Sequence, residues 1–364
     1  MGKIMTWRKI LMSILVLAVV LIIYLLFWPV SIDPATWTPP KAPALTGVYE
    51  LNTSLALVER LGVGAGIGPE DVAVDGFGRI YGGMKDGRIL RFRSDGTHPE
   101  VFVNTHGRPL GLHFDTEGNL VVADAYKGLL LITPDGSITV LAIEQGGIPF
   151  QLTNDVDIAT NGTIYFSDAS FKFPVDQYMF DLLEHQPNGR LLSYDMGTKT
   201  THLVLDKLYF ANGVAISPDQ SFVLVAETGK YQVQRHWLTG PRKGESDIFI
   251  DNLPGFPDGI SCNGQDTFWL VLFSPRVAYM DAILPHTFLR KVIVRLPQAL
   301  ITPPKKYGFV LGLNMDGHVV HNLQDPSGKY APITSVQEYK GMLYLGSLTE
   351  DAIGRIPAPS ISLG

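Results

Sequence analysis

The sequence predicts an all-β fold, a six-bladed β-propeller, carried behind one N-terminal transmembrane helix. Three observations lead there: short alternating strands punctuated by Gly, Asp and Asn turns, a strand–turn–strand unit that recurs six times, and one long apolar run near the N-terminus. Composition agrees, with 46% hydrophobic and 18% charged residues and with 37 Gly and 25 Pro among 364 positions. Such a chain can bury a large core and spends many residues on turns.

Ile10 to Trp28 is broken only by Ser13 and Tyr24, and at about 1.5 Å per residue it can cross roughly 30 Å of hydrocarbon. Lys3, Arg8 and Lys9 precede it. The positive-inside tendency therefore keeps residues 1–9 cytoplasmic and sends the rest across the membrane as a single-pass protein with its propeller extracytoplasmic. Tyr24 and Trp28 suit the far interface. A cleaved signal peptide is the alternative, but it calls for a shorter apolar core and a small-x-small cleavage site, and Phe27-Trp28-Pro29-Val30 follows instead. Residues 29–46, rich in proline, read as a stiff extended spacer, and residues 47–364 as the propeller. "GVGAGIG" (62–68) has no helix pattern after it and reads as a flexible lead-in to the first blade.

The repeat is visible by eye. "EDVAVDGFGRIYGG" (70–83), "LGLHFDTEGNLVVAD" (110–124), "NDVDIATNGTIYFSD" (154–168), "NGVAISPDQSFVLVAE" (212–227), "DGISCNGQDTFWLVL" (258–272) and "TSVQEYKGMLYLGS" (334–347) share one layout. Each is a strand, a polar turn and a second strand. Six units over the remaining chain give about 53 residues apiece, near the size of a four-stranded blade with loops. Sandwiches rarely repeat a unit of that length, and solenoids repeat shorter ones.

Aligning the units places Glu70, Asn154, Asn212 and Asp258 at equivalent positions, each at the start of a blade's innermost strand. Inner strands surround a propeller's central channel, so these four oxygen donors converge on one axis. Taken singly, each is more often a turn cap. Together, two carboxylates and two amides without sulfur or imidazole form a hard-oxygen set that suits Ca²⁺, or another divalent cation, better than a transition metal. The second strand of each hairpin runs back to the same rim, which makes Asp124, Asp168 and Glu227 candidates to orient ligands or substrate; hydrogen bonding between blades is their alternative role.

Several classes lose support. A formal net charge of -6 without a run of Lys or Arg leaves nucleic acid little to hold. The single cysteine, Cys262, excludes an intrachain disulfide and a Cys-based zinc cluster. There is no G-x-S-x-G elbow, P-loop or H-E-x-x-H. Asn52-Thr53-Ser54 and Asn161-Gly162-Thr163 are glycosylation sequons that matter only in a eukaryotic secretory setting.

The segments "GRPLGLHFDTEGNLVVADAYKGL", "LTNDVDIATNGTIYFSDAS", "FANGVAISPDQSFVLVAET", "LPGFPDGI" and "GMLYLGSL" resemble the strictosidine synthase-like proteins, especially their membrane-anchored, adipocyte plasma membrane-associated branch. The resemblance runs through nearly the whole chain after residue 45. It implies a propeller related to paraoxonases and gluconolactonases, in which a central Ca²⁺ activates esters or lactones, and by position it carries the ligand role to Glu70, Asn154, Asn212 and Asp258. Relatives often have Asn after the last ligand aspartate, where this chain has Gly259, so the coordination number stays open. Alkaloid-forming members place an essential glutamate where Thr334 stands, which disfavours amine–aldehyde condensation. The histidine pair proposed for related lactonases has its nearest counterparts in His106 and His113, matched by region and not by motif.

The resulting expectation is a membrane-anchored, calcium-dependent hydrolase of a small-molecule ester or lactone. Asp258 is the candidate base for water and Asn154 the candidate positioner of a substrate oxygen. The rival is a non-catalytic propeller scaffold or receptor, with a strictosidine synthase-type lyase behind it. Substrate choice is expected in the insertions Phe171 to Pro187 and Leu272 to Pro304, over the channel mouth.

Overall fold

The computed structural model describes residues 7–297 and 305–359. Lys3 of the cationic flank and residues 298–304 of the second insertion lie outside the described residues. The body is six antiparallel four-stranded sheets arranged as propeller blades. Blades 1 to 5 take residues 72–104, 109–142, 153–208, 211–250 and 255–325. Blade 6 takes 333–357 and is completed by Glu59–Leu61, which pairs with the last strand through Glu59↔Arg355 and Leu61↔Ile353. Closing the ring with the N-terminal strand ties the two ends of the domain together and covers the edge of the final sheet. Nothing local in residues 59–61 announces this, because the partner lies at the other end of the chain.

Inner strands are buried on both faces, and their sequences follow. Leu120–Asp124 and Phe222–Glu227 are buried at every position, as strands sandwiched between neighbouring sheets must be. The core lies between blades: Ala73, Tyr81 and Ile89 of blade 1 pack on Leu112, Leu120, Val122 and Leu130 of blade 2. Trp269, Val271 and Val310 of blade 5 likewise meet Val336 and Leu345 of blade 6.

The N-terminal run forms one helix, Trp7–Phe27, with no buried residue and with the length and apolarity to cross a membrane. It begins three residues earlier than the apolar run. Both long insertions carry short helices absent from the sequence reading: Tyr178–Glu184, then Ala278–Ile283 and Thr287–Val294. At 7, 6 and 8 residues they are too short for a 3.6-residue period to register, and they form because they pack.

Residues 29–46 run extended as expected, yet they lie against the propeller. Ile32 is buried with Phe173 and Leu183, and the Trp37 ring stacks on His185 with centroids 4.3 Å apart. The Ala35 N–H donates to the Glu184 carbonyl at 2.9 Å, while Arg276 donates to the Pro40 carbonyl at 2.6 Å. The spacer is therefore a strap. The lead-in at 62–68 also differs from expectation: Gly68 sits at φ +67, and a Cβ there would stand 2.6 Å from the Leu348 carbonyl oxygen. Its glycine serves close approach rather than flexibility.

Candidate active site

All six equivalent repeat positions, Glu70, Leu110, Asn154, Asn212, Asp258 and Thr334, line one cavity of about 470 Å³. A second cavity of about 300 Å³ occupies the channel on the opposite side, and Glu70, Asn154, Asn212 and Thr334 line both. These four residues form the partition between an upper pocket and a lower channel. The device that puts Asn154, Asn212 and Thr334 there is a β-bulge. In blade 3, Thr153 pairs with Asp168 and Val156 with Phe166, so Asn154 and Asp155 together oppose Ser167 alone. Blades 4, 5 and 6 show the same slip between Ala211 and Val214, between Pro257 and Ile260, and between Ile333 and Val336. A bulge turns two successive side chains out of strict alternation. The first of each pair reaches the upper pocket, and its neighbour faces the lower channel or packs on the next blade.

That packing accounts for Gly259. A Cβ there would meet the Thr334 carbonyl oxygen at 2.5 Å and Ser335 Cα at 3.0 Å. Gly111 is held in the same way, 2.6 Å from Asp155 Cα at the Cβ position. Glycine follows the pocket-lining residue, Leu110 or Asp258, where the next blade's bulge presses in.

Each of the four predicted donors is over nine-tenths buried, with relative exposures of 8% for Glu70, 7% for Asn154, 5% for Asn212 and 7% for Asp258. Burial pushes the Glu70 carboxyl well above the usual carboxylate range, and the Asp258 charge adds to the shift while Arg108 opposes it. Burial likewise pushes Asp258 up to about 7, against a hydrogen bond from the Asn212 side chain. The Asn212 amide also donates to Thr228 Oγ1 at 3.2 Å, and that hydroxyl donates to the Pro257 carbonyl at 2.7 Å. With its nitrogen so engaged, Asn212 leaves its oxygen for the pocket. Among the described residues, the Glu70 carboxylate accepts no hydrogen bond and enters no ion pair. Thr334, standing where the resemblance implies a glutamate, donates Oγ1 to the Glu70 carbonyl at 2.6 Å and bonds blade 6 to blade 1.

The donor set fits a hard divalent cation. Two buried carboxylates whose ionisation is opposed by burial have one nearby cation, Arg108, which faces Glu70 without an ion pair to it, and two amide oxygens stand beside them. Among the described residues no three His, Cys, Asp or Glu side chains gather as a metal cluster, so the set depends on its two amides.

The rim carboxylates have other work. Asp124 accepts from the N–H groups of Arg108 and Tyr126 and from Thr105 Oγ1. Asp168 pairs with Arg190 at 2.5 Å and accepts the Leu152 N–H. Glu227 accepts from the Tyr209 N–H and from Gln232. All three are buried and line neither cavity, and their hydrogen bonds hold the loops that enter their own blades. His113 lines the lower channel, 3.4 Å from Asp157, and His106 lines neither cavity. Neither histidine reaches the upper pocket, because the inner strand carries His113 away from it. Cys262 also lines the lower channel, its thiol pushed up to about 12 by burial.

Three residues escaped the sequence reading. Arg108 is buried beside Glu70 and donates to the carbonyls of Gly68 and Gly83, while its Nη2 has no partner. Asp71 and Asp155 follow Glu70 and Asn154 directly. The only signal for Arg108 was a cation ahead of an apolar repeat; for the aspartates it was the acidic second member of "ED" and "ND".

The rest of the upper pocket is mostly apolar, with Lys85, Arg108 and Asp176 as its other charged lining. Leu152, Phe210, Phe256 and Phe273 wall it, and the predicted insertions supply Val175, Tyr178 and Leu182 on one side and Val277, Tyr279 and Met280 on the other.

Comparison with known proteins matches this architecture. The profile of strictosidine synthase covers residues 154–241, and that of the strictosidine synthase-like N-terminal region covers residues 47–92. The chain is 37% identical to Protein STRICTOSIDINE SYNTHASE-LIKE 6 of Arabidopsis thaliana, across 82% of this chain and 81% of that one. It is 33% identical to the adipocyte plasma membrane-associated protein of Rattus norvegicus, across 96% of this chain and 100% of the other. Among solved structures, a gluconolactonase of Xanthomonas campestris superposes with a TM-score of 0.61 at 17% identity, over 91% of this chain and 99% of that one. A calcium-binding regucalcin of Agrobacterium tumefaciens gives 0.57 at 14% identity, over 82% and 90%. These two likenesses concern the fold. The sequence relatives, at more than 30% identity over most of both chains, show that this chain belongs to the strictosidine synthase-like family.

Proposed function

We propose that the chain is a membrane-anchored hydrolase of carboxylic esters or lactones that works with a divalent cation, Ca²⁺ in the first place. One observation carries the reading: four buried oxygen donors, two of them carboxylates that accept few or no hydrogen bonds, close the floor of a mostly apolar pocket. The anchor is helix Trp7–Phe27, and Arg8 and Lys9 at its start favour a propeller on the extracytoplasmic side. Gluconolactonases and a calcium-binding regucalcin share the fold, which adds support.

Glu70, Asn154, Asn212 and Asp258 would hold the cation. When bound, it supplies polarisation of the substrate carbonyl and charge stabilisation for the developing oxyanion. The chain supplies the rest. Asp258 lines the upper pocket alone, oriented by the Asn212 amide, and its carboxylate oxygen takes the proton of the attacking water. Asn154 positions the substrate oxygen. Leu110, Phe210 and Phe256 exclude bulk water from the floor, so the charges there act in a low dielectric.

Hydrolysis of phenyl acetate and a panel of lactones, measured with and without EDTA and after Ca²⁺ readdition, tests this. Chelator-sensitive turnover restored by Ca²⁺ is the expected result; a panel without turnover at any Ca²⁺ concentration defeats the hydrolase reading. A second reading is a rigid scaffold, favoured by the bonds that lock neighbouring blades at the floor. It is distinguished by a melting temperature that falls with EDTA while no ester is turned over.

A further inference from the structure

The end of the membrane helix is bolted to the lid of the pocket. Arg295, which follows helix Thr287–Val294, donates Nε to the Trp28 carbonyl at 2.6 Å and Nη1 to the Leu25 carbonyl at 2.9 Å. Tyr24 Oη donates back to the Arg295 carbonyl at 3.2 Å. The last carbonyls of a helix need partners, and here the lid provides them. Val30 and Ile32 then pack with Phe180, Met280, Ile283 and Ile293. Met280 also lines the upper pocket. One side chain thus touches both the strap leaving the membrane and the substrate cavity.

Asp281 and Arg290 of the lid are turned inward, while Lys291 pairs with Asp33 at the exposed edge of the strap. Asp281 is held by Arg276 and by the Tyr231 hydroxyl. Arg290 is buried and donates to the carbonyls of Ala35 and Leu183. Lys291 reaches Asp33 at 3.2 Å. Exposed on the lid are Tyr279, Phe288 and Leu289, at 47%, 53% and 45%, and exposed on the helix end that Arg295 holds are Phe27 and Trp28, at 74% and 62%. His286 is the exposed polar residue between the two lid helices. An exposed apolar face of this kind marks an interaction surface, and this one belongs to a lid hydrogen-bonded to the end of the membrane-spanning helix.

We propose that the lid, residues 278–294, rests in the bilayer interface, so that the upper pocket opens toward lipid and takes an amphiphilic ester or lactone whose acyl chain partitions into the membrane. The inference rests on reading Trp7–Phe27 as an anchor and, for its substrate class, on the hydrolase reading. Strap and Arg295 allow little freedom between helix and lid, so anchoring the first presses the second against the surface, where an apolar face sinks about 5–10 Å into the headgroup boundary.

The test uses the full chain in phosphatidylcholine vesicles. In a Cys262→Ser background, Phe288→Cys or Leu289→Cys carries an environment-sensitive fluorophore, and Asn161→Cys, in a turn at the far end of blade 3, carries the same label as control. The expected result is blue-shifted emission quenched by lipid-borne nitroxides at 288 and 289, with aqueous emission at 161. Aqueous, unquenched emission at 288 and 289 from a chain that still resists carbonate extraction overturns the proposal while leaving the anchor intact; carbonate-extractable protein removes the anchor reading and the proposal with it. As a second arm, Phe288→Asp/Leu289→Asp is expected to slow hydrolysis of a long-chain ester embedded in vesicles by on the order of tenfold, with turnover of soluble phenyl acetate unchanged. Equal loss on both substrates, or on neither, contradicts lipid-side entry. Absence of phenyl acetate turnover in the parent chain removes the hydrolase reading and leaves the label result to decide the lid.

Discussion

Glu70 and Asp71 are neighbours in sequence, as are Asn154 and Asp155, yet the partition in the channel gives each pair opposite work. Asp71 accepts the N–H of Val72 at 2.7 Å and that of Leu112, in the next blade, at 2.8 Å. Asp155 does the same with Val156 at 2.8 Å and with Val214, one blade on, at 2.7 Å. Asp157 repeats the pattern with Ile158 and Ile216. Below the partition, carboxylates are clamps that join the inner strand of one blade to that of the next, their oxygens occupied by backbone donors. Above it, Glu70 accepts nothing. Carboxylate oxygens already saturated with N–H groups have little left for a ligand, whereas a buried carboxylate without donors calls for a cation. The half of the channel proposed to be functional therefore stands out by what its Glu70 carboxylate lacks.

The sharpest way to break this contrast is to remove one carboxylate from each side. Glu70→Ala and Asp258→Ala are expected to reduce ester or lactone turnover by on the order of 10²–10³-fold, the usual scale for losing an element that stabilises an oxyanion. They should also abolish the rise in melting temperature on adding Ca²⁺, which for a cation bound only by the folded state is about 2.7 kcal/mol at one hundred times Kd. Elemental analysis and calorimetry on the same samples check both. Asn212→Asp keeps an oxygen and adds charge, so Ca²⁺ binding should survive it while turnover falls.

Asp155→Ala should do the reverse. It orphans two buried N–H groups, each costing about 1–3 kcal/mol, so the melting temperature drops while the Ca²⁺ increment persists. Loss of the increment in this variant would show that the clamp is itself part of the cation site.

A third experiment reads the same asymmetry through pH. The folded-state pKa of Asp258, at about 7, lies above the ordinary 3.8, and that of Asp71 is raised to about 6, both by burial. The folded state therefore holds these protons more tightly than the unfolded chain. Their stabilising effect is complete below about pH 4 and is lost as pH rises through 6 to 7. In EDTA, the contribution of these groups should make stability fall over that window, and saturating Ca²⁺ should flatten the fall due to Asp258 but not that due to Asp71. Denaturant midpoints at pH 5 and 7.5, with Asp258→Asn as the reference, measure it.

The smallest effect concerns the strap. Trp37→Ala removes the stack on His185 and the contact with Tyr231, at a cost of about 1 kcal/mol beyond the lost burial. Proteolysis within residues 29–46 should accelerate while the propeller's own melting changes little.

Much of this was legible along the chain. Alternation with Gly, Asp and Asn turns identifies strands because side chains in a strand alternate faces whatever surrounds them, and six copies of one unit imply a ring because each copy has an apolar face that needs the next. The length and apolarity of Trp7–Phe27 follow from composition alone. The donors Glu70, Asn154, Asn212 and Asp258 were found because the repeat superimposes them. What required three dimensions was every relation between blades. The strand Glu59–Leu61 closes a sheet made by the far end of the chain, the strap residues find Glu184 and Arg276 only once the ring exists, and Arg295 meets Leu25 and Trp28 across most of the sequence. The division of labour between Glu70 and Asp71 belongs here too. In blades 3 to 6 a bulge, not alternation, aims the equivalent side chains, and whether an oxygen meets an N–H or an empty cavity depends on a neighbouring blade whose position is set by packing.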